Sequence, residues 1–266
     1  MIARFLATFA LACCAAGGAR AADAFATDWA RTLKAEARLL AGGPRLAAFE
    51  IRLAPGAITY WRNPGDSGAP PSFDFSRSVN LARAEPEFPA PERIAEPDGS
   101  EAFGYRQGVI FAIALDALDP SKPVTLALDA TYAVCEKICL PAKANLTLSL
   151  PEDGSTPYAA SIEAAREATP QRVEWRALRA ELASIDADDW RLCLPAEPGP
   201  ARDLFLEPPP GWWLSTKPEP RLSGRDCFAV ALREKPADGA LPLNARATVT
   251  GGAGALDFML ILPPQS

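Results

Sequence analysis

Proline and glycine interrupt this 266-residue chain every few residues, with 27 prolines and 18 glycines in all. Because proline breaks helix interiors and both residues favour turns, little room is left for long helices. The intervening segments are short and strand-like, as at residues 46–53, 109–115, 124–128 and 145–150, where leucine alternates with polar residues from 146 to 150. Many short strands separated by turns predict an all-β sandwich.

The pattern changes after Leu150. Residues 151–154 are rich in turn formers, and Thr156-Pro157 predicts a helix N-terminus leading into a helix over residues 158–168. Strand-like segments resume at residues 173–178, 190–194, 203–206, 228–232 and 245–250. We therefore expect one β domain over residues 23–150 and a second small β domain over residues 151–266, joined by a short helix-bearing linker.

The first residues have the pattern of a signal peptide over residues 1–22. Arg4 precedes an apolar run from residue 5 to residue 16, and Ala19-Arg20-Ala21 offers small residues for cleavage. The run is too short to span a bilayer, and no later stretch approaches the roughly 20 apolar residues of a membrane helix. A lipoprotein signal is the alternative, but no clean lipobox precedes Cys13 or Cys14. The sequence predicts an exported, water-soluble protein.

Charge and composition exclude several functions. Without Arg4 and Arg20, 25 basic residues face 33 acidic ones, a net charge of −8 that disfavours nucleic acid as a partner. Histidine is absent, which removes the usual base of hydrolases and the usual ligand of zinc and blue-copper sites. We therefore predict no cofactor and no metal site.

Four cysteines follow the predicted signal peptide: Cys135, Cys139, Cys193 and Cys227. An even number in an exported protein suggests disulfides. One bond in each domain is the simplest pairing, and the two other connectivities remain open. By the loop-entropy model, a Cys193–Cys227 bond stabilises by about 4 kcal/mol and a Cys135–Cys139 bond by about 2 kcal/mol. This difference favours a structural role for the first bond and a reducible character for the second.

Residues four apart in an extended strand are about 13 Å apart, too far for a disulfide. Bonding therefore requires a turn over residues 136–138, which presents both sulfurs at a loop tip. A second structural disulfide remains an alternative at this position. A copper(I) site is another, since soft thiolates bind that ion, although the histidine ligand typical of copper-delivery proteins is missing.

Several segments resemble a known family. Residues 133–142 (AVCEKICLPA) resemble the cysteine segment of the N-terminal periplasmic domain of DsbD-type protein-disulfide reductases, and are closer still to the ScsB (suppressor of copper sensitivity) branch. Residues 59–71 (TYWRNPGDSGAPP) resemble that branch's Trp-Arg-x-Pro-Gly segment, and residues 37–42 and 103–105 fit as well. The resemblance covers roughly residues 30 to 150, and the second half matches loosely as an extra β domain.

This resemblance implies immunoglobulin-like domains, the first with a redox cysteine pair. It implies a periplasmic protein-disulfide reductase or interchange component that receives electrons from a membrane-embedded DsbD/ScsB-type donor and passes them to thioredoxin-like proteins. Cys139 would form the mixed disulfide with partners and Cys135 would resolve it. Because the chain stops at Ser266, we expect the donor to be a separate polypeptide.

The resemblance also implies a cap loop at residues 101–105, with Phe103 as the shielding ring and Tyr105 second. Ordinary core packing is the alternative for both aromatic residues.

Two other functions remain open for the chain as a whole. One is a non-catalytic periplasmic binding module, for example in copper(I) handling or copper tolerance, and the other is a structural role with both disulfides permanent.

Overall fold

The computed structural model describes residues 23–66, 68–96 and 99–264. The predicted signal peptide, residues 1–22, lies outside the described residues. Within them the chain forms four sheets whose strand pairs are antiparallel except for one, with a single α-helix, so the all-β prediction is confirmed.

The first half of the chain forms two sheets. The first has the strand order β1-β2-β3-β9-β6, and the second has the order β11-β10-β4-β8-β7 with β5 paired to β10. The strands are β1 (Ala30–Arg31), β2 (Ala35–Gly43), β3 (Leu46–Leu53), β4 (Ile58–Gly65), β5 (Ser72–Asp74), β6 (Leu81–Glu87), β7 (Glu92–Ala95), β8 (Glu101–Arg106), β9 (Gly108–Ala117), β10 (Thr125–Cys135) and β11 (Cys139–Ser149).

The two sheets pack face to face around one core. The core includes the buried side chains of Leu39 and Phe49 from the first sheet and of Trp61, Leu126 and Leu128 from the second. In β11 the residues alternate between exposed and buried, as a half-buried strand requires. Two antiparallel sheets around a single core are the arrangement of an immunoglobulin-like sandwich.

A short helix and a second pair of sheets follow. The helix α1 (Ala159–Glu167) buries Ile162 against Leu40, Ala48 and Ala112 of the first half. The two sheets have the orders β12-β19-β18-β15 and β13-β14-β17-β16. Their strands are β12 (Gln171–Arg172), β13 (Glu181–Asp186), β14 (Asp189–Pro195), β15 (Asp203–Glu207), β16 (Trp213–Leu222), β17 (Arg225–Glu234), β18 (Leu243–Thr250) and β19 (Leu256–Leu262).

One predicted strand of the second half is wrong. Residues 173–178 end in a 3-10 helix, Trp175–Leu178, and only the start of the segment runs alongside β19. Residues three apart lie on the same side of a 3-10 helix, so Trp175 and Leu178 both face the core. Trp175 packs on Phe258 there, with ring centroids 5.9 Å apart.

The second half has its own apolar core, which includes Trp190, Leu192, Phe228 and Leu260. One residue of the second half belongs to the other core. Phe205 on β15 packs edge-on against Trp61 and Phe103, with centroid distances of 5.9 and 4.9 Å. The division into two domains after residue 150 stays a prediction.

Two arginines of the first half pair with carboxylates of the second. Arg93 Nε donates to Asp203 Oδ2 at 2.8 Å, and Arg62 Nε donates to Glu207 Oε1 at 2.9 Å. Both arginine side chains are only 15% exposed. Water therefore screens these ion pairs less than it screens pairs on the open surface.

Candidate thiol–disulfide site

Cys135 and Cys139 lie at the tip of a β-hairpin and are joined by a disulfide. Cys135 ends β10, Cys139 begins β11, and the two face each other in the register with Cα atoms 4.1 Å apart. Residues 136–138 form the turn that a bond between these cysteines requires. The strand that follows begins at Cys139 itself, earlier than residue 145, where the sequence pattern predicted it.

The two sulfurs have different surroundings. Cys135 is 5% exposed and packs in a small apolar cluster with Ile58, Ile94 and Ala102 on the outer face of the sheet. Cys139 is exposed. An incoming thiol therefore has access to Cys139, while Cys135 lies behind it.

Tyr60 contacts both cysteines. Its hydroxyl donates a hydrogen bond to Cys135 Sγ at 2.8 Å and lies 3.5 Å from Cys139 Sγ. Tyr60 comes from β4, the neighbour of β10, and is 1% exposed. Sequence reasoning included Tyr60 in the segment 59–71 but gave it no role, so this site residue was missed.

The backbone at Gly68 lies against the ring of Tyr60. Gly68 has φ +98°, and a Cβ placed there would be 2.2 Å from Tyr60 Cε1 and Cζ. No other residue fits this contact without displacing the ring or the backbone. Gly68 thus packs against the tyrosine that touches the disulfide.

The turn beside Cys139 is held by an ion pair. Lys34 Nζ lies 2.8 Å from Glu136 Oε2, and this hydrogen-bonded lysine lowers the pKa of the Glu136 carboxyl. Ile138 in the same turn is a large apolar side chain that is 69% exposed. The surface next to the exposed sulfur is therefore partly apolar and carries both signs of charge.

The structure places Phe103 and Tyr105 away from the disulfide. In β8 they alternate with Gly104, which faces Tyr60 in the register, so their side chains point to the opposite face of the sheet. Phe103 packs on Phe205, with Arg93 lying 5.0 Å over its ring. The position of Phe103 gives no support to its predicted role as the shielding ring.

Tyr105 is part of the first core, as the core-packing alternative expects. Its hydroxyl donates to the backbone oxygen of Pro89 at 2.9 Å, and its ring packs edge-on against Phe111. Burial raises its pKa well above the ordinary value for tyrosine. Such a residue is neutral at any physiological pH.

The second disulfide joins Cys193 on β14 to Cys227 on β17. The two residues are directly opposite in the register, and both are buried. Of the three connectivities left open by the sequence, the structure has one bond in each half of the chain.

Two features are absent from the described residues, a metal-binding cluster and a membrane-spanning helix. No group of three or more His, Cys, Asp or Glu side chains among them could hold a metal ion. No helix in the described part of the chain is long and apolar enough to cross a membrane.

A β-sandwich with a hairpin-tip disulfide, in which one cysteine is buried and the other exposed, has the features of a thiol–disulfide exchange module. Residues 27–151 match the family model described as "Thiol:disulfide interchange protein DsbD, N-terminal". This segment includes both cysteines of the hairpin, and its match to that family confirms the resemblance seen in the sequence. Among curated proteins, none matches the chain.

The chain is also similar to a solved structure, the crystal structure of the N-terminal periplasmic domain of ScsB from Proteus mirabilis. The TM-score is 0.73 at 19% sequence identity, with 91% of this chain and 100% of that chain covered. At this identity the likeness shows the fold alone. Because the coverage extends far beyond residue 151, the shared fold includes the second half of the chain.

Proposed function

We propose that this protein is a periplasmic thiol–disulfide exchange protein. It relays electrons between a membrane-embedded DsbD/ScsB-type reductase and exported thioredoxin-like proteins through Cys135 and Cys139. The observation that supports this most directly is the unequal exposure of the two cysteines at one hairpin tip. The family match over residues 27–151 and the signal-peptide pattern support the periplasmic assignment.

The exposed cysteine is the point of attack. A thiolate of a dithiol donor attacks Cys139 Sγ, the Cys135–Cys139 bond breaks, and its electron pair leaves on Cys135. The donor's second thiolate then releases Cys139 by attacking the donor's own sulfur in the mixed disulfide. The cysteine pair gains two electrons and two protons, and the donor becomes a disulfide.

Delivery to an acceptor uses the same mixed disulfide in reverse. Cys139 as thiolate attacks the acceptor's disulfide, and Cys135 then attacks Cys139 Sγ to release the reduced acceptor. This assigns partner contact to Cys139 and resolution to Cys135.

The surface around Cys139 suits a transient protein partner. Ile138 is exposed in the turn, and Leu33 is exposed in the loop that Lys34 ties to Glu136. Exposed apolar side chains beside a reactive group favour docking without a large buried interface. The exposed lysine and glutamate pair at the same position adds charge selectivity.

Trapping in the periplasm tests the proposal. A Cys135→Ala variant lacks the resolving thiol, so a mixed disulfide through Cys139 should accumulate and be captured by acid quenching and non-reducing electrophoresis. The captured partner should be a thioredoxin-like protein or a membrane reductase. The matched control is Cys139→Ala, which keeps a thiol at the same tip but should trap far less.

Equal trapping by the two variants, or none by either, would contradict the proposal. Tight copper(I) binding by the reduced protein without exchange with any thioredoxin-like protein would instead favour the copper-handling alternative.

A further inference from the structure

The Tyr60 hydroxyl is in place to act on the sulfur that leaves when the disulfide opens. It donates to Cys135 Sγ at 2.8 Å, inside a cluster that is otherwise apolar: Ile58, Ile94 and Ala102. The ring is held from one side by the backbone of Gly68. Tyr60 also faces Gly104 in the register, a residue with no side chain to displace it.

We propose that Tyr60 is a catalytic residue of the exchange reaction, in which its O–H hydrogen-bonds the Cys135 sulfur as negative charge develops there. This inference rests on the proposed function only in assuming that the pair is opened and closed by thiols.

The chemistry explains why a donor is needed at this position. When a thiolate bonds to Cys139 Sγ, the electron pair of the broken S–S bond goes to Cys135, which is 5% exposed. A thiolate surrounded by apolar side chains loses hydration, and burial alone raises the pKa of such a thiol. A hydrogen bond to the charged sulfur offsets that cost, and the tyrosine keeps its proton throughout.

The same contact serves the reverse direction. With the pair reduced and Cys139 bonded to an acceptor, the hydrogen bond keeps a larger fraction of Cys135 as thiolate, the form that attacks. Tyr60 thus favours the resolving step as well as the opening step.

The test is Tyr60→Phe, which removes one oxygen and keeps the ring against Gly68. The oxidised protein is mixed with excess dithiothreitol, and reduction of the Cys135–Cys139 bond is followed by quenching with iodoacetamide and mass spectrometry. We expect reduction to slow by about tenfold, the effect of losing one hydrogen bond to a charged group. At a pH above the pKa of the Cys135 thiol, the equilibrium with dithiothreitol should also shift by about tenfold towards the disulfide, a potential lower by ~30 mV.

Tyr132→Phe is the matched control. Tyr132 is buried on β10, three residues before Cys135, and its hydroxyl has no hydrogen-bond partner among the described residues. This variant removes a buried hydroxyl from the strand that carries Cys135 without removing a contact of the disulfide. The reduction rate and the potential of its Cys135–Cys139 bond should therefore equal those of the wild type.

A second measurement does not depend on the folding of Tyr60→Phe. In a Cys139→Ser variant with Tyr60 intact, the ultraviolet absorbance of the thiolate gives the pKa of Cys135. The proposal expects a value at or below about 8.5, the value of a free cysteine, despite burial. A value clearly above it, or equal reduction rates for Tyr60→Phe and wild type, would overturn the proposal. Dithiothreitol needs no protein partner, so this result is independent of whether trapping finds one.

Discussion

A mild reductant should open the two disulfides of the folded protein at very different rates. Cys139 is exposed at a hairpin tip, whereas Cys193 and Cys227 are 6% and 2% exposed within a sheet. Thiol–disulfide exchange requires access to a sulfur, so the buried bond can react only after local opening. An opening free energy of even about 3 kcal/mol slows its reduction by about 100-fold relative to the hairpin bond.

The stability lost in the two steps follows from the loops that the bonds close. The sequence separations are 4 and 34 residues. In the loop-entropy model, breaking the short loop costs at most about 2 kcal/mol and breaking the long one costs about 4 kcal/mol. The singly reduced protein should therefore remain folded.

The assay is a time course with dithiothreitol under native conditions. Free thiols are blocked with iodoacetamide at each time point, and peptide mapping identifies which pair has opened. Urea unfolding of the species with only Cys135 and Cys139 alkylated gives the first loss, and a Cys193→Ala/Cys227→Ala variant gives the second. Simultaneous opening of both bonds, or a larger stability loss from the hairpin bond, would refute the reasoning.

Three further predictions follow from particular contacts. Phe103→Ala should lower the unfolding free energy by about 2–4 kcal/mol, because it leaves a cavity beside the core. It should leave the alkylation rate of reduced Cys139 unchanged, and faster alkylation would show that Phe103 shields the cysteine. Arg93→Leu should cost about 3 kcal/mol in urea unfolding, because it strands partly buried carboxylates. The exposed Arg83→Ala should cost less than about 1 kcal/mol, and equal losses would contradict this explanation. Lys34 lowers the pKa of Glu136, so the ion pair stabilises the turn fully when the pH is above the ordinary pKa of glutamate. This stabilisation is lost as the pH falls through the lowered pKa of Glu136. Lys34→Met should therefore raise the Glu136 pKa in a carboxyl NMR titration, and an unchanged value would show that the pair is absent in solution.

Much of the fold was predictable from the sequence because the spacing of apolar residues and the positions of proline and glycine are local signals. The strand predicted at residues 46–53 has those bounds in the structure, and the helix predicted at 158–168 is α1, Ala159–Glu167. The turn between Cys135 and Cys139 followed from the reach of the chain alone. The strand predicted at residues 173–178 is wrong because the spacing of its apolar residues is ambiguous. Val173 and Trp175 fit the two-residue period of a strand, whereas Trp175 and Leu178 fit the three-residue period of a 3-10 helix.

The site itself was harder to predict, and Phe103 shows why. Its choice as a cap relied on a segment resemblance. The local pattern at residues 102–105 has small residues alternating with aromatic ones, which is the period of a strand with its aromatic side chains on one face. In the structure that face is the core, and the small residues Ala102 and Gly104 lie on the face of the disulfide.

Tyr60 lies 75 residues from Cys135 in the sequence, and only the pairing of β4 with β10 brings them together. No local pattern contains that information. The adjacent Trp61 is the larger ring and points into the core, as its packing among the core side chains shows. Alternation along β4 therefore places Tyr60 on the outer face, but the identity of its partner depends on the sheet order.

The two disulfides have the same pairing geometry and differ in where they lie along their strands. Each joins residues directly opposite in an antiparallel pair. Cys135 and Cys139 form the last pair of their ladder, so only the turn over residues 136–138 lies beyond the bond. Cys193 and Cys227 are followed by the pairs of Leu194 with Asp226 and Pro195 with Arg225. Opening the hairpin bond therefore frees a turn, whereas opening the other loosens a ladder on both sides. The proposed exchange cycle requires a bond whose opening leaves the folded state intact, and the hairpin bond, at the end of its ladder, suits this requirement better than the Cys193–Cys227 bond.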